Sequence, residues 1–120
     1  MTEKQFQRLA DDTMTQLTDI FDEIVEDVEG KDGEDLDVTY GNGVLTVDLG
    51  NFGTYVINKQ TPNKQIWLSS PICGPKRYDF DEEAKEWSYS HDGVSINEVL
   101  SKELSDWACK PIEVSLDIDI

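Results

Sequence analysis

The first third of the chain alternates apolar and polar positions with a helical period. Phe6, Ala10, Thr13, Leu17, Ile20, Ile24 and Val28 recur at steps of three and four, flanked by Leu9, Met14, Phe21 and Val25, and so line one face of an amphipathic helix. Thr2 and Gln5 have the spacing of a capping box, which starts a helix of about 27 residues. Gly30 and Gly33 end it. The period then shortens to two. Leu36 to Tyr40 and Val44 to Leu49 flank Gly41-Asn42-Gly43, and Thr54 to Lys59 and Gln65 to Ser69 flank Gln60-Thr61-Pro62-Asn63; each pair reads as a hairpin. Lys76 to Phe80 and Glu86 to Ser90 are weaker strand candidates. Helical spacing returns after Ser95, whose partner Glu98 makes a second capping box. Ile96, Val99, Leu100, Leu104, Trp107 and Ala108 share one side of this helix, and Pro111 stops it. The order of one helix, several antiparallel strands and one helix predicts an α+β fold, a two-layer αβ sandwich with both helices on one face of the sheet.

Parity assigns the faces of the middle strands. Ile66 and Leu68 point to the core, and Gln65, Trp67 and Ser69 to the other side. Tyr55 and Ile57 share the core face, and Val56 and Asn58 the outer one. A Trp accompanied by neutral amides on an uncovered sheet face has the composition of a protein interface hot spot.

Composition sharpens this division. The 120 residues hold 26 Asp and Glu against 10 Lys and Arg, a formal charge of −16. Phosphate-directed nucleic-acid binding needs clustered bases and is excluded as a function class. One domain spanning 1–120 suits this length. No apolar run reaches membrane-spanning length, and the acidic first twenty residues do not form a targeting peptide, so any address segment is expected to have been removed. Residues 1–37 carry 13 acids and 3 bases, residues 38–75 only 1 acid and 2 bases, and residues 76–120 12 acids and 5 bases. Asp12, Asp19, Asp22, Glu23 and Glu26 fall in a wedge of roughly 100° opposite the apolar stripe, and Glu34, Asp35 and Asp37 continue the acidity into the first strand. Such carboxylates are hard oxygen ligands, which hold divalent ions weakly and with little selectivity. Cys73 and Cys109 form neither a disulfide framework nor a C-x-x-C site. Cys73 reads as an unreactive loop thiol, Cys109 as a packing residue, and the lone His91 as a turn or partly buried structural residue.

Gly53 to Pro71 (GTYVINKQTPNKQIWLSSP), Gly74 to Phe80 (GPKRYDF) and Tyr89 to Gly93 (YSHDG) closely resemble the frataxin family in its eukaryotic form. The resemblance spans the chain except the 29–35 connection, the Asp81–Lys85 insertion and the C-terminal tail. It implies the frataxin-like sandwich, the mitochondrial matrix and a role in iron–sulfur cluster assembly. It further implies that Asp12, Asp19, Asp22, Glu23, Glu26, Glu34, Asp35 and Asp37 bind iron, ferrous or ferric, weakly. Asn58, Gln60, Gln65, Trp67 and Arg77 stand where the family contacts a cysteine desulfurase and its scaffold protein. The expected protein is a monomer that can oligomerise with iron, without nucleic-acid or membrane partners. Iron storage with ferroxidase activity is the alternative that the resemblance leaves open; the sequence lacks the paired Glu-x-x-His motifs of a preorganised di-iron site.

Overall fold

Helix α1 (Glu3–Val28) opens with the expected reciprocal cap. The Gln5 backbone N–H donates to Thr2 Oγ1 at 3.1 Å, and the Thr2 N–H donates to Gln5 Oε1 at 2.8 Å, which partners donors that would otherwise be left to water. The structure is a computed structural model that describes residues 1–28 and 36–119. Phe6, Leu9, Ala10, Thr13, Met14, Leu17, Phe21, Val25 and Val28 form the buried stripe of α1. Ile20 and Ile24, placed in that stripe by periodicity, are only half-buried.

Six strands form one antiparallel meander: β1 (Asp37–Gly41), β2 (Val44–Asp48), β3 (Thr54–Gln60), β4 (Gln65–Ser70), β5 (Gly74–Asp81) and β6 (Glu86–Tyr89), side by side in that order. The β1–β2 turn holds Asn42 at φ 54° and Gly43 at φ 76°, two successive left-handed residues as a tight hairpin turn requires. Between β3 and β4, Lys64 takes a left-handed φ of 53° after the short 3-10 turn Thr61–Asn63. Helix α2 (Ile96–Ala108) begins where Ser95 Oγ accepts the Glu98 N–H. Helix α1 lies over β1, β2 and β3, and α2 packs against β6.

The inner sheet residues Leu45, Val47, Tyr55, Ile57, Ile66, Leu68, Tyr78 and Trp87 meet both helices in one core. Trp87 is fully buried. Its ring stands edge-on to Phe6 and Phe80, and its Nε1–H donates to Thr13 Oγ1 at 2.9 Å; Thr13 in turn donates to the Leu9 carbonyl at 2.8 Å. Past Pro111 the chain does not leave the domain. Val114 and Ile118 are 3% and 4% exposed and join the core. The segment is strapped to both helices. Ile112 and Val114 donate backbone N–H groups to Ser105 Oγ and Ser101 Oγ of α2, each at 2.8 Å. Gln16 of α1 exchanges two bonds with the Asp117 backbone, at 2.7 and 2.8 Å.

Candidate functional site

Both helices cover the same face of the sheet, so among the described residues the other face is open. Register pairs Asn58 with Trp67 and Trp67 with Arg77, which sets these three side chains in a row across β3, β4 and β5. Gln60 pairs with Gln65 in the next row. Trp67 is half-buried rather than freely exposed, because its neighbours hold it. The Arg77 guanidinium lies 5.0 Å from the centre of its ring, a cation–π geometry. Trp67 Nε1–H donates to Gln65 Oε1 at 2.9 Å, and Gln65 Nε2 donates to Asp79 Oδ1 at 3.1 Å. Asp79 thereby orients the amide that orients the indole. Parity along β5 could have found it, since Asp79 stands two residues beyond Arg77.

These residues line a groove of about 650 Å³. Asn58, Gln65, Trp67 and Arg77 lie on it, and Gln60 does not. Its far wall was not foreseen: Lys76, Tyr89 and His91 complete the groove. Lys76 Nζ sits 4.8 Å over the Tyr89 ring and 3.5 Å from Asp92, and His91 packs on Tyr89 with centroids 4.9 Å apart. Arg77 makes no ion pair among the described residues. The groove therefore joins aromatic surface, neutral amides and cations in a chain that is otherwise acidic, which is chemistry suited to protein docking.

The predicted acidic ridge is exposed. Asp12, Asp19, Asp22, Glu23 and Glu26 all face solvent on the side of α1 away from the sheet, and Asp37 is exposed at the start of β1. Glu34 and Asp35 lie outside the described residues. Asp12 accepts from Gln16 at 3.2 Å and Asp37 from Thr39 at 3.0 Å. Among the described residues, no three His, Cys, Asp or Glu side chains converge tightly enough to hold a metal ion. Carboxylates so spread can contribute one or two oxygens to a largely hydrated ion, which is the chemistry of weak, exchangeable binding.

A third cluster is internal. Glu103 of α2, 8% exposed, accepts Tyr55 Oη at 2.7 Å and Ser70 Oγ at 2.6 Å. Burial, reinforced by the Glu103 carboxylate, pushes the Tyr55 phenol far above its ordinary range. Burial also raises the Tyr78 phenol, whose oxygen has no hydrogen-bond partner among the described residues. Cys73 is exposed in the β4–β5 turn as expected, and partial desolvation raises its thiol pKa, which disfavours the nucleophilic thiolate. Cys109 is a correction: it is exposed and caps α2 with a left-handed φ of 56°, so it does not pack. His91 sits exposed at its turn.

Comparison with known proteins agrees with this architecture. The family model for the frataxin-like domain matches residues 1–110. The mitochondrial frataxin homolog of Schizosaccharomyces pombe is 46% identical over 113 residues, covering 94% of this chain and 70% of that protein. Mitochondrial frataxin of Caenorhabditis elegans is 48% identical over 103 residues, covering 85% and 74%. A solved trimeric frataxin of the yeast Saccharomyces cerevisiae, in a ferrous complex, superposes with a TM-score of 0.72 at 39% identity, covering 84% of this chain and 86% of that one.

Proposed function

This chain belongs to the frataxin-like family, and from that premise we propose that it is a mitochondrial, iron-binding accessory protein of iron–sulfur cluster assembly. It docks on a cysteine desulfurase and its scaffold protein through the open sheet face, promotes sulfur transfer, and carries or senses ferrous iron on α1. The observation that carries this reading is the Asn58–Trp67–Arg77 row beside a groove on the sheet face that no helix covers. Its relatives' mitochondrial names support the compartment, and the ferrous complex of the yeast relative supports iron as cargo. Asp12, Asp19, Asp22, Glu23 and Glu26, continued along the chain by Glu34, Asp35 and Asp37, supply the oxygens for that iron, weakly, as a set of carboxylates without His or Cys ligands does. The matrix follows as the compartment of assembly.

The test is sulfide production by a purified desulfurase–scaffold pair, with and without this protein and ferrous iron. Stimulation by stoichiometric protein supports the reading, and its absence in both conditions contradicts it. The trimeric yeast relative favours a second reading, iron storage with ferroxidase activity through oligomerisation. Under that reading, iron drives the monomer into oligomers that retain ferric iron, a change visible by size-exclusion chromatography.

A further inference from the structure

Ile20 and Ile24 belong by period to the buried stripe of α1 yet stay half-buried. With Ile112 of the C-terminal segment they lie on a second groove, of about 640 Å³, bordered by Glu23, Asp27 and Glu113. It lies between α1 and the C-terminal strap, on the helix side of the molecule. Its one cation among the described residues, Lys110, is already paired with Asp27. An aliphatic floor with a carboxylate border constrains the occupant. A metal ion alone leaves the aliphatic floor of Ile20, Ile24 and Ile112 uncovered, so the occupant needs apolar surface as well as positive charge. Anionic lipid and nucleic acid are repelled. A second copy would bring 26 acids against 10 bases, so two such acidic faces repel on balance.

We infer that this groove docks an amphipathic segment of a partner protein that carries Lys or Arg beside aliphatic side chains. The aliphatic side chains lie on Ile20, Ile24 and Ile112, and spaced cations reach Glu23 and Glu113 along the border. This is helix-in-groove recognition, in which anchors at successive turns give affinity and flanking charges give register. The inference does not rest on the sheet-face reading, since it uses the opposite layer of the fold. Glu23 and Glu26, which both lie on this groove, also belong to the acidic face assigned above to iron, so the test leaves them intact.

The probe is a synthetic peptide with Leu at helical anchor positions and Lys at the remainder, added to the full chain at about 0.15 M salt, where exposed charge attraction is screened within roughly 8 Å. The controls are the same residues in scrambled order and a Lys–Gly peptide of equal charge. Binding of the ordered peptide about tenfold tighter than either control is expected, with NMR shifts at the Ile20, Ile24 and Ile112 methyls. Glu113→Lys, at an exposed position, should weaken it about threefold or more with unfolding unchanged. Equal binding of the Lys–Gly peptide, unmoved methyls, indifference to Glu113→Lys or self-association through this face would each overturn the inference.

Discussion

Tyr55 of β3 and Glu103 of α2 share a 2.7 Å hydrogen bond, and the same carboxylate oxygen accepts Ser70 Oγ at 2.6 Å. Ser70 Oγ also accepts the backbone N–H groups of Ile72 and Cys73 at 3.0 and 3.1 Å. A buried carboxylate thus ties α2 to two central strands and fixes the turn that leads into Lys76 and Arg77. Glu103→Leu leaves two buried hydroxyls without an acceptor and should cost roughly 2–4 kcal/mol. Glu103→Gln keeps an acceptor oxygen in place and should cost less than half as much. Chemical denaturation of both variants checks the order. A Leu variant as stable as the parent would mean that the network contributes nothing.

Alkaline pH provides an independent check on the same cluster. Burial raises the Tyr55 and Tyr78 phenols above the ordinary tyrosine value of 10.0, so the folded state holds these protons more tightly than the unfolded chain does. Their contribution to stability is complete below pH 10 and is lost as pH climbs above it. The loss should approach about 1.4 kcal/mol per pH unit for each tyrosine. Phenolate absorbance followed alongside circular dichroism should show two tyrosines ionising only as the fold is lost. Ionisation of all four tyrosines in a fold that stays intact contradicts it.

The acidic face of α1 is expected to oppose folding and to favour cations. Asp19→Asn with Asp22→Asn relieves like-charge repulsion at exposed positions, so stability should stay within about 0.5 kcal/mol or rise. Ferrous binding should fall, from an affinity that is micromolar or weaker for such carboxylate sites and open to competition by manganese, magnesium or calcium. An unfolding curve measures the first part, and titration calorimetry under anaerobic conditions the second. A double variant that loses stability and keeps its iron would make the acids structural.

Local pattern revealed what local forces determine. The Thr2–Gln5 cap, the Asn42-Gly43 turn and the alternation of Tyr55, Ile57, Ile66 and Leu68 toward the core follow from neighbours in sequence, and each is present. The resemblance supplied Arg77 and Gln60; only the register of β3, β4 and β5 puts Arg77 over Trp67 and leaves Gln60 off the groove. Tyr89 and His91 stayed hidden because they depend on which strand follows β5 in space. Glu103 was missed for a different reason: an apolar pattern passes over a charged residue, although its position between Leu100 and Leu104 puts it on the apolar side of α2. Val114 and Ile118 bury through hydrogen bonds to Ser105, Ser101 and Gln16, which lie outside any short window. Past Pro111, Ile112, Val114, Leu116 and Ile118 alternate as in a strand, yet the segment joins no sheet.

The central claim is that the open sheet face docks the assembly partners while α1 handles iron, and Trp67→Ala tests it most directly. Trp67 lies on the outer face against Arg77 and Gln65, so its loss should cost under about 1.5 kcal/mol of folding stability, against roughly 3–5 kcal/mol for a buried Trp. Partner binding should weaken by about 2 kcal/mol, near thirtyfold. The measurement is desulfurase stimulation by this variant, read beside its unfolding curve and its iron titration. The account predicts a stable protein with intact iron binding and lost stimulation. A stable variant that stimulates fully contradicts it.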